Sequence, residues 1–284
     1  MNISLLQIPW DSGHYRKRMG QGPIHLVRQG LIRHLETKGN NVEHTECKLP
    51  ESFVTEAGAA KELNRRLSDL IHKTCKNDRF PIILAGNCNM AIGVVTGLNL
   101  TRPGVVWFDA HADFNTPDTS SSGFFDGMGL SILTGNSWKA WRKTLPGFTP
   151  IDEQNVILMG ARDLDAEERN LLNSSRVTSI PVSGIRNNPK ATLSRPLQFL
   201  SQHCDELYIH IDLDVFDPSE LRANEFYVEN GMLLSEVKEI LKEICAHFKI
   251  AAISFTSYDP TYDKDHNGYQ TVKSILDAVL PRIH

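Results

Sequence analysis

Short apolar runs alternate with longer amphipathic segments along most of the chain. The runs are rich in Val, Ile and Phe and are too short for helices, which is typical of buried strands. Seven strands are predicted, at residues 3–8, 81–84, 105–108, 156–159, 177–180, 207–211 and 250–255. Helical patterns lie at residues 23–39, 59–75, 234–247 and 272–280, and Pro23 fits the first position of its helix.

This alternation predicts βαβ units, and therefore an α/β protein with a mostly parallel, doubly wound sheet that has helices on both faces. No repeat, low-complexity segment or long linker divides the 284 residues, so we expect a single domain over residues 1–284. Sheets of this kind bind ligands beyond the carboxyl ends of their strands. Polar clusters that directly follow a predicted strand are therefore candidates for chemistry.

Composition and charge narrow the class of partner. The chain is 40% hydrophobic and 23% charged, with a formal net charge of −4 and no block of like charge, which argues against nucleic acid and anionic membranes. No apolar run approaches the roughly 20 residues of a membrane span. The start, MNISLLQIPWDSG, fits a first strand better than a signal peptide. The five cysteines are widely spaced, which indicates a reducing compartment and predicts a cytoplasmic protein.

The first acidic cluster follows the predicted strand at 105–108. Asp109, His111 and Asp113 occupy alternating positions, which would place three ligand-type side chains on one side of an extended chain. Two carboxylates and an imidazole suit Mn, Fe or Zn. The alternative is a polar strand end whose carboxylates are solvated.

The second acidic cluster ends the predicted strand at 207–211. Asp212 and Asp214 lie inside the apolar run, and Asp217 begins an Asp-Pro turn that does not account for the other two. Buried carboxylates repel one another, so such a pair needs cations or protons. Because two strands deliver acidic ligands to the same edge, the clusters together predict two divalent cations that share carboxylates and activate a water.

These motifs resemble the ureohydrolase superfamily, and most of all its arginase branch. DAHADFNTPDTSSSG at 109–123 is similar to the arginase motif DAHxDxNTPxTSxSG. DLDVFDP at 212–218 resembles the family's DxDxxDP, and GARDLDAEE at 160–168 resembles its GxRDxDxxE. DPTYD at 259–263 is similar to NPxxD, with Asp for Asn, and Gly-Pro at 22–23 fits the N-terminal region. The resemblance implies a three-layer α/β/α sandwich around an eight-stranded parallel sheet.

The resemblance also implies a role for each matching residue in a metal site. Asp109 and Asp212 would bridge two divalent ions, which the family's chemistry implies are Mn. His111 and Asp214 would complete the shell of one ion. Asp113 would bind the other ion and, as a catalytic residue, hold the nucleophilic water.

A second set of matching residues would bind the substrate. Asn115, Ser120 and Ser122 would contact its α-carboxylate. Asp165 would contact its α-amino group, and Glu168 of the same segment is a further substrate-binding candidate. Family members often form trimers or hexamers, so the resemblance is compatible with a homo-oligomer.

Cysteine occupies the position of a metal-binding His. The family's GGDHS segment reads AGNCN at residues 85–89, which puts Cys88 in the ligand position. A thiolate can bind a metal, which lowers the thiol pKa below its free value of about 8.5. Thiolate is softer than imidazole, so Cys88 would shift the preference toward Zn or Fe. An inert buried thiol is the alternative, but five other ligand candidates surround this position, so we favour ligation.

Three further departures alter the substrate end of the site. SGNxHG reads SGFFDG at 122–127, so Phe124 replaces an Asn that would contact the substrate, and Asp126 replaces a His that would shuttle protons. A buried carboxylic acid can also transfer protons, which makes Asp126 a candidate catalytic residue. Its alternatives are a solvated loop carboxylate or a helix N-cap. Ser257 stands where the family's Glu pairs with a guanidinium, and Ser cannot form a bidentate salt bridge.

The sequence therefore predicts a binuclear-metal hydrolase that cleaves a C–N bond of a small guanidino or amidine compound, such as an N-hydroxylated arginine rather than L-arginine. One alternative is a single-metal amide hydrolase, with Asp109, His111 and either Asp212 or Asp214 around one Zn, as in the related deacetylases. The other is an inactive, arginase-like regulatory or binding protein. The cost of burying carboxylates side by side without a metal argues against an inactive protein.

Overall fold

Eight parallel strands form one sheet in the computed structural model, which describes residues 1–49 and 53–283. In chain order they are β1 Asn2–Ile8, β4 Asn41–Glu46, β5 Phe80–Ala85, β6 Pro103–Phe108, β7 Val156–Met159, β8 Thr178–Ile180, β9 Glu206–Asp212 and β10 Lys249–Thr256, while β2 Trp10–Asp11 and β3 His14–Tyr15 form a separate hairpin. Their order across the sheet is β4-β1-β5-β10-β9-β6-β7-β8, and every neighbouring pair is parallel. The predicted α/β class and parallel sheet are confirmed.

The helices that connect these strands are α1 Gly22–Arg28, α2 Leu31–Thr37, α3 Glu56–Lys76, α4 Ala91–Leu98, α5 Gly129–Thr134, α6 Lys139–Arg142, α7 Ala166–Ser174, α8 Val182–Asn187, α9 Pro189–His203, α10 Leu234–His247 and α11 Asn267–Val279. The prediction of one helix over 23–39 is wrong. Gly30 takes φ +99° and divides the segment into α1 and α2. Within the described residues, no helix has the length and apolarity of a membrane crossing.

Alternate residues of the strands pack against helices on opposite faces of the sheet. On one face Ile3 and Leu5 belong to a core that includes residues of α1, α2, α9, α10 and α11. On the other face Leu6 and Ile8 belong to a core that includes residues of α3, α4, α5 and α7. Both faces of a parallel sheet are covered in this way when crossover helices lie on each side. The three-layer α/β/α arrangement is therefore confirmed.

The order of the strands brings four strand ends together at the centre of one edge. The connection from β5 to β6 passes over two positions that β10 and β9 later fill. Cys88 follows β5, Asp109 follows β6, Asp212 ends β9 and Ser257 follows β10. Ligand sites of open α/β sheets lie at such a switch in strand order. The fold therefore places the residues of the two acidic motifs, and Cys88, in one region.

Gly86, between β5 and Cys88, offers a test of this packing. A Cβ at Gly86 would overlap the carbonyl oxygen of Trp10, whereas a Cβ at Gly184 in α8 would meet Thr192 only at 3.4 Å, an ordinary contact. Gly86→Ala should therefore lower the free energy of unfolding by about 1–3 kcal/mol, the usual cost of overpacking. Gly184→Ala should leave it unchanged or raise it by up to about 1 kcal/mol. Urea unfolding of both variants measures the difference, and equal effects would contradict the packing described.

Candidate metal centre

Three strand ends place Cys88, Asp109 and Asp212 around one point. One ligand atom from each residue lies within 4.8 Å of the others, and we call these residues the sulfur group. The Cys88 thiol donates to Asp212, with Sγ 2.8 Å from Oδ2. All three residues are buried. A thiol proton shared with a carboxylate marks a place where a cation could replace the proton, because both atoms are metal ligands when deprotonated.

A second candidate group consists of Asp109, His111 and Asp214, which we call the histidine group. His111 Nδ1 lies 3.5 Å from Asp109 Oδ1 and 3.4 Å from Asp214 Oδ2, which is long for a hydrogen bond but suits ligands of one ion. Although burial alone would lower the pKa of His111, Asp214 and Asp109 raise it well above its usual value. Asp109 belongs to both groups, so the two groups have one carboxylate in common.

Asp113 stands beside both groups, although the chain does not stay extended as the alternating motif suggested. Its φ of +50° turns the backbone, a left-handed conformation that Asp tolerates better than most residues. Its Oδ2 is buried and has no hydrogen-bond partner among residues 1–49 and 53–283. A buried carboxylate oxygen without a partner is costly. A bound cation would remove that cost.

The charges of the site favour cations. Burial, followed by repulsion from neighbouring carboxylates, raises the pKa of Asp113 and Asp212 well above the usual range. Burial also raises the pKa of Asp109, and burial followed by Asp212 raises that of Cys88. Without cations the site would therefore hold protons. The donor set, the unpartnered oxygen of Asp113 and the spacing of the ligand atoms all fit divalent ions.

Two residues outside the motifs orient the carboxylates. Trp107 Nε1 donates to Asp109 Oδ2 at 2.9 Å. Asn224 Nδ2 donates to Asp214 Oδ2 at 3.2 Å and to the Ser257 carbonyl at 2.7 Å. Partners of this kind fix the direction of metal ligands. Sequence reasoning did not select Asn224, because it lies in an irregular loop and no local spacing connects it with Asp214.

A cavity of about 350 Å³ opens onto both groups. Its lining includes the five residues predicted to bind substrate, namely Asn115, Ser120, Ser122, Asp165 and Glu168. It also includes six that were not selected from the sequence, namely Met19, Ser121, Gly127, Asp163, Asn224 and Phe226. Among the described lining residues none is Lys or Arg. The cavity therefore suits a small molecule that brings its own positive charge.

The predicted substrate-binding residues differ in how many of their polar atoms already have hydrogen-bond partners within the protein. Asn115 Nδ2 donates to Asp165 Oδ2 at 3.2 Å. The hydroxyl oxygens of Ser120 and Ser122 each accept a backbone N–H, at 3.0 and 3.2 Å, and keep their own protons to donate. Glu168 accepts the N–H groups of Phe114 and Asp165 and caps α7. The two serines are thus the better placed to donate to a ligand carboxylate.

The comparisons with known proteins cover nearly the whole chain. The arginase family model matches residues 1–280. The arginase of Bacillus subtilis is 27% identical over 98% of this chain and 97% of its own, and that of Bacillus caldovelox is 26% identical over the same shares. The chain belongs to the arginase family.

Solved structures agree with this assignment. A Bacillus subtilis arginase structure matches with a TM-score of 0.90 and 26% identity, over 99% of this chain and 98% of that one. The formimidoylglutamase of Bacillus subtilis matches with a TM-score of 0.77 and 18% identity, over 99% and 86%, a likeness that shows the fold alone. This chain is thus an arginase-family hydrolase with two candidate metal groups, one of which contains Cys88 in place of His.

Asp126 departs from the family motif and has an unexpected set of contacts. Its Oδ1 accepts the backbone and side-chain N–H groups of Asn89, both at 2.8 Å. Its Oδ2 accepts from Asn87 Nδ2 at 2.8 Å and from the Cys88 N–H at 3.1 Å. Burial raises the pKa of Asp126 to about 7. The side chain is buried and not solvated, so the alternative of a solvated loop carboxylate is wrong. Asp126 holds the segment that carries Cys88, while its proton-transfer role stays a prediction.

The contacts of Asp126 predict a stability effect that a solvated carboxylate would not have. Asp126→Asn replaces one carboxylate oxygen by an NH2 group. That group cannot accept the two N–H donors that face the oxygen, so two buried hydrogen bonds are lost. We expect the metal-free protein to lose about 1–3 kcal/mol of unfolding free energy. Asp118→Asn, in an exposed stretch of the neighbouring loop, should change it by less than about 0.5 kcal/mol. Chemical unfolding of both variants gives the comparison, and a neutral Asp126→Asn would show that these hydrogen bonds do not hold the segment.

Proposed function

We propose that this arginase-family protein is a binuclear-metal hydrolase that cleaves a C–N bond of a guanidino or amidine compound other than L-arginine. The observation that supports it best is the pair of ligand groups that share Asp109. A structural carboxylate cluster would not need an imidazole and a thiol that are each grouped with the same carboxylate. The departures at Phe124 and Ser257 point away from L-arginine.

The metal ligands divide between two ions. Cys88, Asp212 and Asp113 would hold one and His111 and Asp214 the other, while the shared Asp109 would hold both. When bound, the ions would activate a water at neutral pH and stabilise charge that develops on the substrate. The family resemblance favours Mn, whereas the sulfur favours Zn or Fe.

Asp113 is the residue we assign to proton transfer in the attack on the trigonal carbon. Asp113 is one of the residues that line the cavity, and its Oδ2 has no hydrogen-bond partner among the described residues. It can therefore accept a proton from the attacking water and orient it. Asp126 is less free for this role, because four donors occupy its two oxygens.

The substrate end of the cavity combines polar and aromatic groups. The hydroxyls of Ser120 and Ser122 can donate to a carboxylate, and Asp163 and Asp165 supply negative charge for an amino group. The ring centroids of Phe124 and Phe226 are 5.9 Å apart. An amino-acid derivative with an altered guanidino group, such as an N-hydroxylated arginine, fits these partners.

One observation favours a second candidate function. The histidine group contains three ligands without Cys88, so it could hold a single Zn, and the protein would then be a single-metal amide hydrolase. Metal counting separates the two candidates.

We further propose a small-molecule substrate, a cytoplasmic location and a homo-oligomeric state. The location is supported by the cysteines, which are all free. The homo-oligomeric state is supported only by the resemblance to the family, whose members often form trimers or hexamers.

The role of Cys88 predicts a change in metal content. Cys88→Ser should lose one ion and keep the one at His111 and Asp214, and Cys88→His should restore a preference for Mn. Cys245→Ser removes a buried thiol from α10 and should keep both ions. Inductively coupled plasma mass spectrometry with equilibrium dialysis gives the stoichiometry. If Cys88→Ser binds two ions with the affinity of the parent protein, the sulfur is an inert buried thiol and not a metal ligand.

The substrate end predicts that L-arginine is a poor substrate. Each charge-assisted hydrogen bond that is missing from a bound guanidinium lowers its binding by on the order of 1.5–3 kcal/mol. Ser257 cannot form the bidentate salt bridge that a Glu at this position would form with a guanidinium. Hydrolysis should be slow for L-arginine, which would release urea, and faster for an N-hydroxylated arginine, which would release a hydroxyurea, or for a small amidine, which would release ammonia or an amine. The amine or ammonia product is measured for each compound, with Mn or Zn supplied. Combining Ser257→Glu with Phe124→Asn should raise arginine hydrolysis. Turnover of L-arginine by the parent at about 1–1000 per second, the ordinary enzyme range, would contradict the assignment.

A further inference from the structure

Arg162 belongs to the GARDLDAEE segment that follows β7, and it lies outside both ligand groups and the described lining of the cavity. The residue is partly buried. Its guanidinium donates to main-chain carbonyl oxygens of several different segments. Because a guanidinium has five N–H donors in one fixed plane, it can hold such segments in a defined arrangement.

The guanidinium of Arg162 connects the turn just after β9 with a later part of the loop that leads to α10. Nη2 donates to the Asp214 carbonyl at 3.0 Å and to the Val228 carbonyl at 2.8 Å. Nε donates to the Glu229 carbonyl at 3.1 Å, and Nη1 donates to the Gly160 carbonyl at 3.0 Å. Four of the five donors therefore have carbonyl partners, and one of these partners belongs to a candidate metal ligand.

The main chain of Arg162 contacts the first acidic motif. Its N–H donates to the Ala110 carbonyl at 2.8 Å, and Ala110 lies between Asp109 and His111 in the sequence. The N–H of Ala110 donates in turn to Asp214 Oδ1 at 3.3 Å. One residue thus contacts both chain segments that carry the histidine group, one through its backbone and the other through its side chain.

The loop before α10 is connected to Asp214 at two places. We call residues 224–228 between these places the wall segment. At its first residue, the side chain of Asn224 donates to Asp214 Oδ2 at 3.2 Å. At its last residue, the Val228 carbonyl accepts from the guanidinium that also holds the Asp214 carbonyl. Phe226, which lines the cavity, lies between them, and its N–H donates to Asn224 Oδ1 at 2.8 Å.

We propose that Arg162 is a positioning residue that holds the candidate ligand Asp214 and the wall segment of the cavity in one arrangement. The inference rests on the proposed function, because it treats Asp214 as a metal ligand. Contacts outside the ligands fix ligand direction and change metal affinity. Since the same guanidinium holds the wall segment, a metal ion at the histidine group and the wall segment stabilise each other, because coupling between two sites is reciprocal.

The alternative is that only the positive charge of Arg162 matters, as compensation for the nearby carboxylates. Arg162→Lys separates the two roles. Lys keeps the charge and the backbone N–H that Ala110 accepts, but it lacks the planar fork and cannot donate to all four carbonyls. Arg142→Lys is the matched control, because Arg142 is also partly buried and donates to two main-chain carbonyls, those of Ser137 and Gly135.

The first measurement is Co²⁺ binding at each ligand group. Thiolate charge-transfer absorption reports the ion at Cys88, and mass spectrometry of the dialysed protein gives the total Co²⁺. Arg162→Lys should weaken binding at the histidine group by about 10- to 100-fold, the usual effect of losing an outer contact. The ion at the sulfur group should stay, which also shows that the variant folds. Arg142→Lys should bind both ions like the parent protein.

The second measurement is amide hydrogen exchange of the wall segment, followed by mass spectrometry. In the metal-free protein, Arg162→Lys should speed exchange there by about 5- to 30-fold, which corresponds to the loss of one or two hydrogen bonds. Arg142→Lys should leave the exchange of the wall segment at the rate of the parent. In the parent, Zn²⁺ should slow this exchange, and Zn²⁺ that binds without slowing it would overturn the coupling.

Failure of this proposal can be distinguished from failure of the proposed function. If the parent protein binds no ion, the proposed function fails, whereas exchange in the metal-free variants still decides whether Arg162 holds the wall segment. If the parent binds two ions and Arg162→Lys matches it in both measurements, the charge is sufficient, and the positioning role alone is overturned. A change in only one of the two measurements would show that Arg162 does not hold the ligand and the wall segment together.

Discussion

The order of the strands buries four carboxylates at one point, where they repel one another. Asp109, Asp113, Asp212 and Asp214 meet where β5, β10, β9 and β6 end. Burial and mutual repulsion raise the pKa of the first three, while His111 and Asn224 hold the pKa of Asp214 below its usual value although burial opposes this. Such a cluster is stable only with protons or cations. The neighbouring residues of the site hold these carboxylates in place in spite of their repulsion.

Hydrogen bonds from neighbouring protein groups orient the candidate metal ligands. Trp107 and Asn224 orient carboxylates, and Asp126 accepts the backbone N–H groups of Cys88 and of the next residue, Asn89. Two residues with positive φ, Asp113 and Ser257, adopt a conformation that is unfavourable for most side chains. Strain of this kind persists where the neighbouring structure determines the backbone. The fold thus supplies both the negative charge and the fixed orientation of ligands that a two-metal site requires.

The sequence could predict the parts of this structure that depend on local pattern. Six of the eight sheet strands are mostly buried and stand out as apolar runs. The edge strand β8 was also predicted, although only Ile180 of it is buried, whereas the other edge strand, β4, is polar and mostly exposed and was missed. The acidic motifs stand out because they interrupt apolar runs. The contact of Cys88 with Thr256 spans 168 positions, and that of Asp126 with Asn89 spans 37. No local spacing encodes such contacts, so the support around Cys88 required the fold.

The central claim is that two divalent ions share Asp109 and that one of them has sulfur in its shell. Anomalous diffraction from crystals of the metal-loaded protein, collected on each side of the metal's absorption edge, tests it most directly. The account predicts two peaks about 3.5–4 Å apart, one of them about 2.3 Å from Cys88 Sγ if the metal is Zn. A single peak, or two peaks with no sulfur in either shell, would contradict it.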